Sequence, residues 1–197
     1  MEQIDTILPF LQMRQITDFA TIEYLYKSRL KKDFTQDELK PLSSMRRSWQ
    51  KDAYDCYGLF DKSELLGYAF FVRQRKSYLF DYLAVEEKRR NEGLGSIFLQ
   101  QLAACLTDAD CVIGEVEDPD KAKDESARIL QERRLQFYLR NGYLKTELTS
   151  VVFGVNYRIL EVPVGKSHTT DELRTIYTEL YKSILPALFF KTQFRVS

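Results

Sequence analysis

Histidine is nearly absent. The 197-residue chain has one, His168, with no paired-cysteine spacing around it. A structural zinc site is therefore not expected, and the Ser–His and Cys–His nucleophile pairs that need an imidazole base fall away with it. Any proton chemistry then rests on carboxylates, tyrosine, lysine or water. Cysteine is scarce too: Cys56, Cys105 and Cys111 are odd in number and sit in apolar strand or helix contexts, which suits buried thiols in a reducing compartment and argues against a disulfide framework. Net charge is nil, 29 basic residues against 29 acidic, so no global field gathers nucleic acid or an anionic membrane, and neither is expected as a partner. No apolar run approaches the roughly 18 to 20 residues that span a bilayer. The N-terminus, MEQIDTILPFLQ, has acids where a secretory signal has a basic start, and lacks its small-residue cleavage site. A soluble, cytoplasmic protein is the expectation. No segment repeats or is low in complexity.

What is present is apolar material, 44% of residues, and aromatic material, 13%, enough at this length for the core of one domain. Residues 10–14 read as a short strand, and Thr17 or Asp18 caps a helix whose Phe19, Ile22, Leu25 and Tyr26 share a face. Thr35-Gln36-Asp37-Glu38 has the capping-box pattern and opens a second helical stretch past Trp49, with the polar residues 31–36 separating the two. From Ala53 the pattern turns to strands: 53–60, then 65–74 after the turn Asp61-Lys62-Ser63-Glu64, then 77–85 after the basic tip Arg73 to Lys76. Ile97, Phe98, Leu102, Cys105 and Leu106 make the stripe of the next helix. Cys111 to Val116 is a strand stopped at Asp118-Pro119. A helix through Ala127, Leu130, Arg134, Phe137 and Tyr138 ends at Asn141-Gly142, a left-handed C-cap signal. Strand-like runs fill 143–164. Thr169-Thr170-Asp171-Glu172 caps a last helix through Leu173, Ile176, Leu180 and Ile184, which Pro186 ends, and which is expected to pack on the sheet or at the domain's edge.

The most informative stretch is DYLAVEEKRRNEGLGS, residues 81–96: a buried strand, a charged loop, then Gly93 and Gly95 opening an apolar-striped helix. The first amides of a helix lack intrahelical acceptors and carry the positive end of the macrodipole, and glycines let a ligand approach the bare backbone. That makes an anion site suited to a phosphate or pyrophosphate. A Rossmann loop fits poorly, because its third glycine place is Phe98 and the glycines begin eight residues beyond Val85. Arg90-Asn91-Glu92-Gly93-Leu94-Gly95 after a hydrophobic strand resembles the central motif of the GNAT superfamily of acyl-CoA-dependent acetyltransferases. RRLQFYLRNGY, residues 133–143, is similar to the same family's Phe-Tyr-x-x-x-Gly-Phe segment, with Tyr143 in the final aromatic place.

The resemblance implies an α/β (α+β) fold with a mixed, largely antiparallel central sheet and helices on both faces over residues 1–165. Residues 166–197 would add a C-terminal helical extension on the same domain. It implies an N-acetyltransferase that moves an acetyl group from acetyl-CoA to a primary amine, on a small molecule or a protein, by direct attack in a ternary complex without a metal. Backbone groups of Leu83, Ala84 and Val85 would pair with the pantetheine arm, and the amides of Arg90, Asn91, Glu92, Gly93, Leu94, Gly95 and Ser96 would hold the pyrophosphate. Tyr138 would protonate the departing thiolate, with Phe137 filling the core role beside it. Glu115, where the strand resembles the family's Leu-Glu-Val segment, is the first choice of general base. Glu117, on the same face by strand alternation, and Asp81 are the alternatives. Gln131 stands where many members carry an asparagine on the cofactor. A non-catalytic acyl-CoA-binding or regulatory module is the alternative function. The acceptor is not legible, and the protein is expected to be a monomer or homodimer.

Overall fold

The computed structural model describes residues 11–36, 38–162, 164 and 166–197. They group into two compact units: the chain up to Phe71 with Tyr82–Cys105, and Val72–Asp81 with Leu106–Ser197. Eight strands make a mixed, mostly antiparallel sheet, the expected class. No described helix is long and apolar enough to cross a membrane.

In the first unit β1 (Leu11–Gln15) pairs antiparallel with β2 (Tyr54–Asp61), from Leu11↔Asp61 to Gln15↔Tyr57. The order continues through β3 (Glu64–Gln74) to β4 (Ser77–Val85), two strands that run on into the second unit. Helix α1 (Phe19–Leu25) starts at Asp18, which accepts from the Thr21 amide at 2.7 Å, and buries Phe19, Ile22 and Leu25. The helical run goes on past Leu25 and ends among the polar residues 31–36, as expected, at Asp33. The Ser28 hydroxyl bonds back to the Tyr24 carbonyl, a π turn spans Tyr26–Leu30, and α2 (Lys31–Asp33) follows, held down by the fully buried Leu30.

The capping-box motif at Thr35 does not open a helix either. Glu38 accepts from the Thr35 amide and hydroxyl, but Pro41 disfavours helical backbone at Lys40, whose amide goes to the Tyr82 hydroxyl at 2.8 Å. Helix α3 (Leu42–Gln50) begins only after Pro41; Asp37 of that motif lies outside the described residues. Helix α4 (Leu94–Cys105) buries Leu94, Phe98, Leu99 and Leu102. Cys105 was expected in this stripe but is exposed, because the helix ends there; Cys56 and Cys111 are buried as expected.

In the second unit β4 runs parallel to β5 (Cys111–Glu117) from Ser77↔Cys111 to Leu79↔Ile113, where the register stops. Next to β5 lies β7 (Val155–Val162), then β6 (Leu144–Val152), joined to β7 by a tight turn in which Phe153 and Gly154 both have positive φ. Helix α5 (Glu125–Arg140) is capped by Asp124 and ends at Asn141, with Gly142 at φ +86 as the C-cap signal requires. Its buried face is not the expected one: Leu135 is the buried residue, Leu130 is exposed, and Phe137 is only half-buried.

Helix α6 (Thr170–Ile184) carries a complete capping box between Thr169 and Glu172. Its buried stripe is Leu173, Tyr177, Leu180 and Tyr181, displacing the expected Ile176 and Ile184. The extension also holds more than one helix. Pro186 ends α6 and stands as the N-cap of α7 (Ala187–Gln193), and β8 (Phe194–Val196) then pairs antiparallel with β6 from Ser150↔Val196 to Val152↔Phe194. Proline suits such a helix start, where an amide is not needed, and β8 covers backbone that β6 would otherwise offer as an open edge.

Candidate functional site

The chain leaves β4 at Val85, makes a short 3-10 turn over Glu87–Arg89, and then takes two left-handed residues, Asn91 at φ +70 and Gly93 at φ +80. The Gly93 carbonyl accepts the amides of Ser96 and Ile97 at 3.0 and 3.1 Å and so closes the first turn of α4. The amides of Leu94 and Gly95 have no intrahelical acceptor, and the first turn of α4 carries no acid. A β-carbon built on Gly93 meets no heavy atom within 4 Å, so its backbone faces open space.

Both loop arginines already have partners. Arg89 pairs with Glu92 at 2.7 Å. Arg90 donates to the Val85 carbonyl at 3.2 Å and to Asp33 at 2.9 Å, and the other oxygen of Asp33 accepts from the Tyr68 hydroxyl at 2.8 Å. Arg90 thus ties the loop to the end of the strand, and the loop's capacity for anions lies in its amides. Leu83, Ala84 and Val85 are half-buried. Beside them a β-carbon on Gly67 would stand 2.9 Å from the Ala84 carbonyl, so β3 and β4 approach here as only glycine allows.

In the second unit each candidate carboxylate has its own donors. Glu115 accepts at Oε1 from the Tyr177 hydroxyl, and at Oε1 and Oε2 from the Tyr181 hydroxyl at 2.7 and 3.0 Å. Tyr177 also shares a hydrogen bond of 2.8 Å with the Ser150 hydroxyl. Glu117, on the same face by alternation, is met by α5: Arg134 at 2.9 Å and the Gln131 amide at 3.3 Å. Asp81 is half-buried on β4. Desolvation, reinforced by the Glu115 charge, raises the phenols of Tyr177 and Tyr181 well above the usual tyrosine range, so both stay protonated donors.

Tyr138 is half-buried, its ring 5.2 Å from Phe137 and 5.1 Å from Tyr143. Burial pushes its phenol up to about 12, with Arg134 pulling the other way. Tyr143 is buried and also packs on Phe80, centroids 6.0 Å apart. Gln131 points its amide nitrogen at Glu117, while its carbonyl oxygen is buried with no hydrogen-bond partner among the described residues.

Tyr177 and Tyr181 are the residues that sequence reasoning missed. Leu173, Tyr177, Leu180 and Tyr181 fit helical spacing as well as the all-aliphatic stripe does, and two hydroxyls on a buried stripe call for an acceptor. His168 likewise has partners far off in sequence. Its Nδ1 lies 2.6 Å from Glu161, and one ligand-type atom from each of Cys111, Glu161 and His168 falls within 4.8 Å of the others. Spacing rules look for neighbours along the chain and find no such group.

No family model matches this sequence, and no curated protein does. Solved structures do. A protein assigned to the GNAT family of acetyltransferases from Bacteroides thetaiotaomicron superposes with a TM-score of 0.70 at 18% identity, over 88% of this chain and 98% of its own. The ribosomal-protein-S18-alanine N-acetyltransferase of Escherichia coli gives 0.55 at 14% identity, over 81% and 97%. A GNAT-family acetyltransferase of Elizabethkingia anophelis with acetyl-CoA bound gives 0.55 at 13% identity, over 78% and 98%. At such identities these are likenesses of fold.

Proposed function

The chain has the GNAT fold, and from that premise we propose that it is an N-acetyltransferase that uses acetyl-CoA to acetylate a primary amine. The observation that carries the reading is the stretch from Arg90 to Ser96, where Asn91 and Gly93 are left-handed, the space beside Gly93 is open, and the first amides of α4 lack intrahelical acceptors. The β4–β5 register ends at Leu79, short of Leu83, Ala84 and Val85, which suits an extended amide-bearing arm pairing there.

The chemistry follows from the residues. The acceptor arrives as an ammonium and gives one proton to Glu115. The free amine attacks the thioester carbonyl carbon, and a C–N bond forms. A backbone amide of β4 holds the oxyanion as the tetrahedral centre develops. The C–S bond then breaks, the departing sulfur takes the Tyr138 proton, and the nitrogen's second proton restores the phenol through solvent. A phenol at about 12 is protonated throughout the neutral range, so its O–H is in place as a directional donor to the sulfur as the C–S bond breaks.

Calorimetric titration of the purified protein with acetyl-CoA, against NADH and ATP controls, tests the reading. Micromolar binding of acetyl-CoA alone, followed by thiol release with an amine, is the expected result. Binding without thiol release across an amine panel would assign a non-catalytic acyl-CoA-binding module, and absence of binding would sink the cofactor site itself.

A further inference from the structure

We propose that Tyr177 and Tyr181 of the C-terminal extension are positioning residues of the acyl-transfer site, holding the Glu115 carboxylate ionised and aimed at the incoming ammonium. The inference rests on the transferase reading and goes beyond it by making α6 part of the site.

Two hydroxyls meet one carboxylate, and a third stands behind one of them. Tyr177 and Tyr181 are 0% and 2% exposed, and a phenol has a single proton to give. Tyr177 spends its proton on Glu115, so in the pair with Ser150 it is the serine that donates and the phenol oxygen that accepts. Tyr181 spends its proton on the same carboxylate, close to both oxygens. The direction is therefore uniform: Ser150 to Tyr177 to Glu115, and Tyr181 to Glu115. Hydroxyl donors satisfy a carboxylate without cancelling its charge, and their fixed geometry fixes its plane.

The tyrosines are themselves anchored. Their rings lie 5.0 Å apart, and Phe194 of β8 stacks on Tyr181 at 4.5 Å and meets Tyr177 at 5.4 Å. Phe194 is set in turn by the pairing of β8 with β6, the strand that also brings Ser150. Strand, helix and carboxylate form one assembly. A helix that merely covered the sheet would need apolar groups at these two positions. Among the ionisable groups nearby, Tyr157 of β7 acts on Tyr181, and Glu117, two residues along the same strand, is paired with Arg134 of α5.

Full-length Tyr181→Phe and Tyr177→Phe remove one hydroxyl each and keep the rings. The expected result is acetyl-CoA affinity within about twofold of wild type, an acidic limb of the kcat/KM profile moved up by about one pH unit, and kcat/KM at neutral pH lowered on the order of tenfold. Carbon-detected NMR titration of Glu115 in protein labelled at glutamate carboxyls should show the same upward move without any turnover. If Tyr177→Phe does not fold, Ser150→Ala tests that branch through its loss of the donor to Tyr177. Unchanged Glu115 titration and an unchanged acidic limb in a folded, acetyl-CoA-binding Tyr181→Phe would reduce the phenols to packing and overturn the proposal alone. Failure of the wild-type protein to bind acetyl-CoA would overturn the transferase reading, and the proposal with it.

Discussion

Gly93 and Gly67 constrain the same stretch of chain in opposite ways. At Gly93 the space beside the backbone is open and the conformation, φ +80, is what excludes other residues. Gly93→Val should cost about 1–2 kcal/mol of stability in chemical denaturation, from left-handed strain alone. It should weaken acetyl-CoA more than tenfold in calorimetry, because its side chain fills the space a phosphate needs; retained affinity would remove the loop from the cofactor site. At Gly67 the conformation is ordinary and the neighbour is what excludes: the Ala84 carbonyl is backbone and cannot swing aside. Gly67→Ala should lower stability by about 1–3 kcal/mol, read as a lower melting temperature. Tyr138→Phe tests the acid, with kcat expected to fall on the order of a hundredfold at unchanged acetyl-CoA affinity. Both motif glycines and Tyr138 are candidates that the sequence offers by itself, since they fall in patterns only 6 and 11 residues long. The partners of Glu115 are not, because they stand 62 and 66 residues away along the chain.

The elements formed where apolar spacing and capping agreed and moved where a neighbour competed. Thr35 and Thr169 carry the same threonine-to-glutamate signal at the same spacing. Thr169 starts α6 because nothing opposes it, whereas Thr35 is followed by Pro41 and by a Tyr82 hydroxyl that claims the Lys40 amide. Thr169→Ala should therefore cost about 1 kcal/mol in denaturant unfolding, the usual worth of an N-cap side chain. The C-terminal strand makes a larger demand. Phe194 is buried, stacked on Tyr181 and Phe190, and holds the last three-residue strand against β6. Phe194→Ala should lower stability by about 3 kcal/mol, and the freed tyrosines should depress turnover while acetyl-CoA affinity holds. Equal losses of both would indicate general unfolding. Phe194 and Val196 favour a strand, but three residues are too few to form one alone; they do so because β6 offers backbone to pair with.

Across the whole molecule, buried acids of high proton affinity set the response to base. Burial pushes the Cys111 thiol up to about 12, with Glu161 adding to it, and Tyr138 up to about 12; Tyr68, Tyr143, Tyr177 and Tyr181 are raised further by burial. Each binds its proton more tightly when folded than when unfolded. Their contribution to stability is complete below the unfolded values of roughly 9 for a thiol and 10 for a phenol, and is lost as pH rises through the folded values. The melting temperature should be flat near neutrality in this respect and fall steeply above about pH 9 to 10, less steeply in Cys111→Ser, where the Cys56 thiol, also raised well above its usual range by burial, still sets the onset. A flat profile to pH 11 would mean these groups are wetter than they look. By itself the sequence determined where most of the strands and helices lie and the glycine loop before α4, because these rest on the local periodicity of apolar side chains and on caps and turns; the mixed sheet, whose pairs join residues as far apart as Leu11 and Asp61, was implied only by the resemblance of two short motifs. Only the tertiary structure decided which hydroxyls meet Glu115, that His168 finds Glu161 and Cys111, and that the tail returns as an edge strand. Those depend on distances through space between residues far apart in the chain, which periodicity and spacing do not encode.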